Sequence, residues 1–100
     1  MTLFAVIRTR GPAWQADVPL EGQAEWGAHA SFMNALESEG FVVLGGPLEG
    51  TPDVLLIFRA NSSKEILDRL QGDPWTSSGL LRVRQISEWT LRLGSLPDRS

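Results

Sequence analysis

The sequence predicts a single α+β domain whose elements follow in the order strand, helix, strand, strand, helix, strand. Three observations lead to this prediction. Apolar runs rich in β-forming residues recur along the chain, and two longer stretches repeat apolar residues at every third or fourth position. Glycine or proline stands at most boundaries between these segments. The 100 residues suffice for one such domain with one hydrophobic core.

The first strand is predicted at residues 3–8, an apolar run that Gly11-Pro12 closes. A long connection follows at residues 9–22. Loops longer than about 12 residues are uncommon in compact domains and often serve a function. Trp14 in this loop is costly to leave in water, so we expect the loop to fold back onto the body of the domain. It would then be either a surface loop pinned by one aromatic ring or the lid of a pocket.

The first helix is predicted at residues 23–39, and Gly40 follows it where a left-handed cap favours glycine. The apolar residues that define its buried face recur at helical spacing, namely Ala28, Phe32, Ala35 and Leu36. Strands are predicted next at residues 41–44 and 54–58, and the segment between them is expected to be a hairpin connection. Gly45-Gly46-Pro47 is expected to end the first of these two strands.

The second helix is predicted to begin at Ser62, because Ser62 and Glu65 have the spacing of a capping box. Its apolar stripe consists of Ile66, Leu67 and Leu70. Gly72 ends this helix, and Asp73-Pro74-Trp75 then opens a turn or a short helical segment.

The last strand is predicted at residues 80–93 from an alternating pattern. One parity carries the apolar residues Leu81, Val83, Trp89, Leu91 and Leu93. The other parity carries Arg82, Arg84, Glu88 and Arg92, which indicates a solvated strand face rather than an anion site. Residues 1–94 are therefore expected to form the domain and residues 95–100 a polar tail.

The predicted order is that of the split βαβ, or ferredoxin-like, plan with an antiparallel sheet. In this plan both helices cover the same face of the sheet. The strands at residues 3–7, 41–44 and 54–58 are nevertheless apolar at consecutive positions, so both of their faces carry hydrophobic side chains. Hiding roughly a few hundred Å² of such a face is worth several kcal/mol, at about 25 cal/mol per Å². We therefore expect the sheets of two chains to pack face to face in a homodimer.

The composition excludes several classes of function. A net charge of −3 argues against a nucleic-acid partner, because binding the phosphate backbone requires clustered Lys and Arg. The absence of cysteine excludes disulfides, thiolate nucleophiles and cysteine-based metal sites. No apolar run approaches the roughly 20 residues that span a bilayer, and the first apolar run is too short for a secretion signal. The expectation is a cytoplasmic protein without a membrane partner.

His29, the only histidine, is the first candidate for chemistry. It precedes Phe32 and Leu36 by three and seven residues, so it shares the apolar face of the first helix. A buried imidazole must find a hydrogen-bond partner, because an unsatisfied one costs roughly 1–3 kcal/mol. The alternative is a structural histidine bonded to a backbone carbonyl. Asp73 has an alternative role too, since Asp before Pro is typical of a helix N-cap.

Other candidates have simpler interpretations. Trp26 and Trp75 are more often core or pocket wall than binding platforms, and Gly45-Gly46-Pro47 is more often a turn than a phosphate cradle. One histidine without cysteine makes a zinc site improbable, so no metal is expected. No nucleotide-binding, haem or flavin motif is present, so no cofactor is expected either.

Four segments, taken together and in order, resemble the YciI-like (YCII-related) family. Residues 26–36 look like its helix signature, a histidine followed by Phe and Leu on one face. Residues 39–48 resemble its glycine, apolar strand and Gly-Pro-Leu stretch. Residues 71–75 resemble its Asp-Pro-aromatic motif, and residues 86–89 its closing strand. The resemblance covers about residues 3–94.

This resemblance implies a dimeric α+β barrel of ferredoxin-like subunits and a pocket with a His–Asp pair, which corresponds here to His29 and Asp73. In some relatives the pair is proposed to perform acid–base chemistry on small cyclic substrates, such as dehydrochlorination or isomerisation. Asp73 would accept a hydrogen bond from one imidazole nitrogen, and the other nitrogen would face the pocket. The candidate substrate-binding residues are Arg8, Trp14, Trp26, Gly46, Pro47 and Trp75.

Two matters stay open at the level of sequence. Arg8 could hold a substrate carboxylate or phenolate, or it could be a solvent-exposed strand end. The whole protein could be an enzyme of the lyase or isomerase type, a non-catalytic homodimer that binds a small molecule, or a purely structural domain whose pocket is filled by its own side chains. A cavity beside His29 would separate the first two from the third.

Overall fold

The computed structural model of the chain describes residues 2–96. Four strands and three helices follow one another in this range, with a short 3-10 turn at Leu20–Gly22 in the first loop. Their bounds are β1 Thr2–Arg10, α1 Trp26–Ser38, β2 Val42–Pro47, β3 Asp53–Ala60, α2 Ser63–Leu70, α3 Pro74–Ser78 and β4 Leu81–Glu88. The predicted α+β class and order of elements are confirmed, and α3 lies where a turn or short helical segment was predicted after Gly72. The predicted polar tail, apart from residues 95 and 96, lies outside the described residues.

The four strands form one antiparallel sheet in the order β2-β3-β1-β4. The two central strands are β1 and β3, and Phe4 on β1 is opposite both Phe58 and Glu88. This strand order with two crossover helices is the ferredoxin-like split βαβ plan that the sequence predicted.

The hydrophobic core lies between one face of this sheet and the two longer helices. Alternation along the strands directs Phe4, Val6, Leu56 and Phe58 to this face. The helices contribute Leu36, Ile66 and Leu70 to the same buried cluster. The other face of β1 and β3 carries half-buried apolar side chains, namely Leu3, Ala5, Ile7 and Leu55. The strands are therefore apolar on both faces, as their sequences predicted.

Strand β2 runs through Gly45-Gly46-Pro47, so the prediction that these residues end the strand is wrong. The physical reason is close packing, since a Cβ at Gly45 would lie 2.4 Å from Leu56 Cδ2 on β3. Because Gly45 has no side chain, it leaves room for Leu56 and allows β2 to pair with β3, and it does not end the strand. The predicted hairpin between β2 and β3 is confirmed, with Leu48 N–H donating to the Asp53 carbonyl at 3.0 Å.

The last strand ends at Glu88 and not at residue 93. Trp89 N–H still donates to the Leu3 carbonyl at 2.9 Å, one residue from the start of β1 at Thr2. The predicted parity also fails, because the register shifts by one residue where β1 passes from Ile7 to Arg8. Val83 and Ile86 therefore both pack against the core.

Helix α1 begins at Trp26, three residues later than predicted. Glu25 precedes it in a left-handed conformation, φ 60°, which a continuous helix from residue 23 cannot contain. Its buried face consists of His29 and Leu36, with Phe32 and Met33 half-buried. Two residues predicted for this face, Ala28 and Ala35, are instead exposed. The predicted glycine cap is confirmed, because Gly40 has φ 82°.

Helix α2 begins as predicted, since Glu65 N–H donates to Ser62 Oγ at 3.1 Å. Leu67, predicted for its apolar stripe, is 42% exposed, because only Ile66 and Leu70 point at the sheet. Within residues 2–96 no helix combines the length and the apolar character needed to cross a membrane.

Candidate functional site

Asp73 is the residue around which the site is built. It is fully buried and caps α3, with its Oδ1 accepting from Trp75 N–H at 2.9 Å. Pro74 occupies the first helical turn, where its missing N–H costs nothing. The capping role expected from the Asp-Pro dipeptide is present, but it uses only part of the carboxylate's capacity to accept hydrogen bonds.

His29 supplies a second bond to this carboxylate from the buried face of α1. Its Nδ1 lies 2.9 Å from Asp73 Oδ1 and 3.0 Å from Oδ2. An ionised carboxylate has no proton to give, so Nδ1 carries the hydrogen and donates. Nε2 is then the acceptor nitrogen, and it makes no hydrogen bond to any residue between 2 and 96. The alternative expected from sequence, a histidine tied to a backbone carbonyl, does not occur.

Arg8 supplies a third bond to the same carboxylate. Its Nη1 donates to Asp73 Oδ2 at 2.8 Å and its Nη2 to Thr76 Oγ1 at 2.9 Å, while only 1% of the side chain is exposed. The alternative of a solvent-exposed strand end is therefore wrong, because strand alternation turns Arg8 to the helix-covered face. Its substrate-binding role stays a prediction, and both terminal nitrogens are already engaged by the protein.

The hydrogen bonds around Asp73 determine its charge. Burial alone would raise the pKa of Asp73, because it disfavours the charged form. Hydrogen bonds from His29, Arg8 and the Trp75 backbone, together with the positive charge of Arg8, outweigh burial and lower the pKa of Asp73 below its usual value. The carboxylate is thus ionised at neutral pH, which is the state that accepts the Nδ1 proton of His29.

Aromatic rings hold the imidazole in place. His29 stacks on Trp75 with ring centroids 3.9 Å apart and planes within 5° of parallel. Trp26 lies beside both rings, with its centroid 6.0 Å from that of His29 and 5.8 Å from that of Trp75. Trp75 is itself anchored, because its Nε1–H donates to the Ala24 carbonyl at 2.6 Å. The ring of His29 is thereby fixed by both packing and hydrogen bonding.

A cavity of about 670 Å³ adjoins these rings. Its lining includes six of the eight residues that the sequence analysis selected around the pocket, namely Arg8, Trp14, Trp26, His29, Pro47 and Trp75. The volume lies within the range of about 300–1,000 Å³ that is usual for small-molecule sites. A domain whose pocket is filled by its own side chains does not fit this observation.

Two selected residues stand apart from the lining. Gly46 is opposite Leu55, so strand alternation places it toward the other face, and Gly45 lines the cavity instead. Gly46 does not line the cavity, and its substrate-binding role stays a prediction. Asp73 lies behind Arg8 and His29 and reaches the cavity only through them.

The first loop is held in a defined position by a residue that sequence reasoning assigned to the helix. Gln23 is buried, and its side chain bonds Gln15 N–H at 3.1 Å, the Gln15 carbonyl at 2.7 Å and the Val18 carbonyl at 2.9 Å. This loop brings Trp14 to the cavity, edge-on to Trp75 with centroids 5.6 Å apart. The loop is therefore a wall of the cavity, and not merely a surface loop pinned by one ring.

Thr76 and Gln23 belong to the site's support and were not selected from sequence. Thr76 follows Asp73 by one helical turn, a spacing that could have indicated a shared partner. Gln23 carried no signal, because its three bonds depend on a loop conformation. In the part of the chain that the structure describes, no group of three or more His, Cys, Asp or Glu side chains is arranged to hold a metal ion.

Comparison with known proteins agrees with the fold. A family model described as the YCII-related domain matches residues 2–90. Among solved structures, the chain is similar to 5-chloro-2-hydroxyhydroquinone dehydrochlorinase from Burkholderia phenoliruptrix AC1100, in complex with 2,5-dihydroxybenzoquinone. The identity is 23%, with a TM-score of 0.67 over 88% of this chain and 93% of that one, so this likeness shows a shared fold. No curated protein matches the chain.

Proposed function

We propose that this chain, which belongs to the YCII-related domain family, is an enzyme that uses His29 as a general acid–base on a small cyclic or aromatic substrate. One observation carries the proposal. The Nδ1 atom of His29 is bonded to buried Asp73 at 2.9 Å, and the ring lines a cavity of about 670 Å³. The imidazole thus has one nitrogen held by the protein and one available to a ligand.

The mechanism follows from the charges and hydrogen bonds of the site. Nε2 of His29 accepts a proton from an O–H or C–H group of the bound ring. The imidazolium that forms is stabilised by ionised Asp73, which also fixes the orientation of the ring. Positioned proton transfer of this kind typically contributes 10²–10⁴-fold in rate. Arg8 and Thr76 act as positioning residues, because they hold the Asp73 carboxylate and do not themselves transfer the proton.

Two reaction types use proton transfer by this imidazole. In an elimination of HCl from a chlorinated hydroxyl ring, one O–H proton first moves to the carbon that bears chlorine, which becomes tetrahedral. Nε2 then removes a second O–H proton, its electron pair forms the new carbonyl, the ring double bond shifts toward the chlorine-bearing carbon, and chloride departs with its own bonding pair. In an isomerisation, the imidazolium returns the proton to a different atom of the same substrate. The similar structure of a dehydrochlorinase supports the first type as the one to test first.

The direct test is turnover of 5-chloro-2-hydroxyhydroquinone, followed by chloride release, within a wider screen of chlorinated and hydroxylated rings. We expect His29→Ala to lower kcat by about 100-fold or more and Asp73→Asn by about 10-fold or more, with both variants folded by circular dichroism. Turnover unchanged in both variants would refute the acid–base role.

A non-catalytic homodimer that binds a small molecule is the second candidate, and the tryptophan-lined cavity favours it as much as it favours the enzyme. Binding of 2,5-dihydroxybenzoquinone without turnover of any ring in the screen would support this candidate over the enzyme. Calorimetric titration of the wild-type protein measures that binding directly.

The homodimer is part of both candidates. It is supported by the apolar side chains on the sheet face opposite the helices, namely Leu3, Ala5, Ile7 and Leu55. Packing two such faces together would remove them from water and give the barrel-like pair of sheets that the family resemblance implies. A cytoplasmic location stays a prediction from the sequence.

A further inference from the structure

Strand β1 directs two arginines to the cavity. Arg8 and Arg10 are two positions apart, so alternation places both on the same face at a separation of about 7 Å along the strand. Both line the cavity, and they are the cationic side chains that do so within residues 2–96. Their surroundings differ, and this difference indicates which of them meets a ligand.

Arg8 is occupied by the protein itself. Both terminal nitrogens donate to Asp73 and Thr76, and the side chain is 1% exposed. Its remaining donor, Nε, is buried and has no partner in the described part of the chain. The charge of Arg8 is thus paired with buried Asp73, and almost none of its side chain is exposed to a ligand.

Arg10 is held in position but not neutralised. Its backbone N–H donates to the Pro52 carbonyl at 3.0 Å, and its guanidinium carbon lies 4.6 Å from the ring centroid of Trp14. Stacking on an aromatic face restricts a guanidinium and leaves its N–H donors free at the edge. No side-chain hydrogen bond or ion pair links Arg10 to another residue between 2 and 96.

The other charged groups of the cavity wall are acidic. Asp53, Glu37 and Glu49 line it, and Asp53 is paired with Arg84 at 2.8 Å. None of these carboxylates would attract an anionic ligand group. Attraction for it is concentrated at the edge where Arg10 rests on Trp14.

We propose that Arg10 is the specificity-determining residue of the site, and that it selects planar ring substrates carrying a carboxylate or phenolate oxygen. The inference rests on the proposed function, since it concerns the ligand of the same cavity. The ring of the substrate packs among Trp14, Trp26 and His29, and its anionic oxygen accepts hydrogen bonds from the free edge of the guanidinium. Because carboxylate and phenolate share this chemistry, the proposal covers both.

The test compares two planar probes of equal shape, 2-naphthoate and 2-naphthamide, which differ in charge. Binding is measured by calorimetry and by the shift of the single histidine resonance, which reports the cavity independently of turnover. The wild-type protein is expected to bind naphthoate about 10-fold more tightly than naphthamide, the preference expected for a charge-assisted hydrogen bond. Arg10→Gln should abolish this preference by weakening naphthoate binding more than naphthamide binding, while Arg10→Lys should retain part of it.

Lys64→Gln is the matched control, because it removes one positive charge from the exposed surface of α2, away from the cavity. This variant should keep the wild-type preference, which separates local recognition from net charge. A naphthoate preference that persists in Arg10→Gln would overturn the assignment of Arg10. Equal binding of both probes by the wild type would overturn it too, while leaving the acid–base proposal intact. Failure of both probes to bind would refute the ligand cavity and with it both proposals.

Discussion

The imidazole of His29 lies flat against the indole of Trp75, with ring centroids 3.9 Å apart and planes within 5° of parallel. The same indole is edge-on to Trp14 and donates a hydrogen bond to the Ala24 carbonyl. Trp75 is also the residue whose N–H is capped by Asp73. One buried side chain therefore connects the proton-transfer pair, the first loop and the entry to α1.

This position makes Trp75 a stability determinant of the site. Trp75→Ala is expected to lower the free energy of unfolding by about 3–5 kcal/mol, because it removes a 1%-exposed ring from a packed cluster. Urea denaturation measures the change. Trp89→Ala is the matched control, since that ring is 37% exposed and should cost less than half as much. Equal losses in the two variants would contradict the central role of Trp75.

The tautomer of His29 can be observed directly, because the chain contains no other histidine. The hydrogen bond to ionised Asp73 predicts that the hydrogen resides on Nδ1 and that Nε2 carries the lone pair. Long-range ¹⁵N–¹H correlation spectra at pH 8 distinguish the two nitrogens. Asp73→Asn should reduce the population of the Nδ1–H form. A wild-type spectrum dominated by the Nε2–H form would be incompatible with the proposed proton path.

The lowered pKa of Asp73 predicts a specific acid sensitivity. The pKa of an Asp carboxyl in an unfolded chain is about 3.9 and lies above the pKa of Asp73 in the folded protein, so the unfolded state binds the proton first. The stabilisation from ionised Asp73 is therefore complete at pH values above the pKa of the unfolded chain. It is lost as the pH falls below that pKa and then below the pKa of the folded protein.

Urea unfolding measured between pH 6 and pH 2.5 tests whether the free energy of unfolding falls toward acid as expected. The wild type should lose stability toward acid more steeply than Asp73→Asn, because the amide does not titrate. The difference in the free energy of unfolding between the wild type and Asp73→Asn should become smaller as the pH falls. Parallel curves for wild type and variant would show that Asp73 does not carry the effect.

The uncovered sheet face predicts the oligomeric state. Leu55→Glu places a charge on that face, and we expect it to convert a dimer into a monomer in light scattering at micromolar concentration, because a buried unpaired charge is strongly unfavourable. Leu67→Glu is the control, since Leu67 is 42% exposed on the helix side. A wild-type monomer, or a Leu55→Glu variant that remains a dimer, would refute pairing through this face.

Local chemistry explains the parts of the fold that the sequence predicted well. The Ser62 cap, the Gly40 cap and the Asp73-Pro74 helix start each depend on a few neighbouring residues, so their patterns can be read without knowing the rest of the structure. The inward placement of His29 was predictable for the same reason, because helical periodicity relates it to Phe32 and Leu36.

The errors occurred where distant segments determine the outcome. The end of β4 depends on where β1 begins, and its parity depends on a bulge opposite Ile7 and Arg8. The start of α1 depends on the bonds that Gln23 makes to the first loop. No pattern within β4 or α1 encodes these partners.

By itself the sequence determined the order of elements, the helix caps and the apolar character of both sheet faces, because each of these features depends on residues that are close together along the chain. Only the tertiary structure decided that Arg8 is buried against Asp73, 65 positions away, and that Arg10 is left with free donors. The two arginines look alike in sequence. Their difference arises because α3 packs over one of them, and such a contact between remote segments depends on the whole chain being folded.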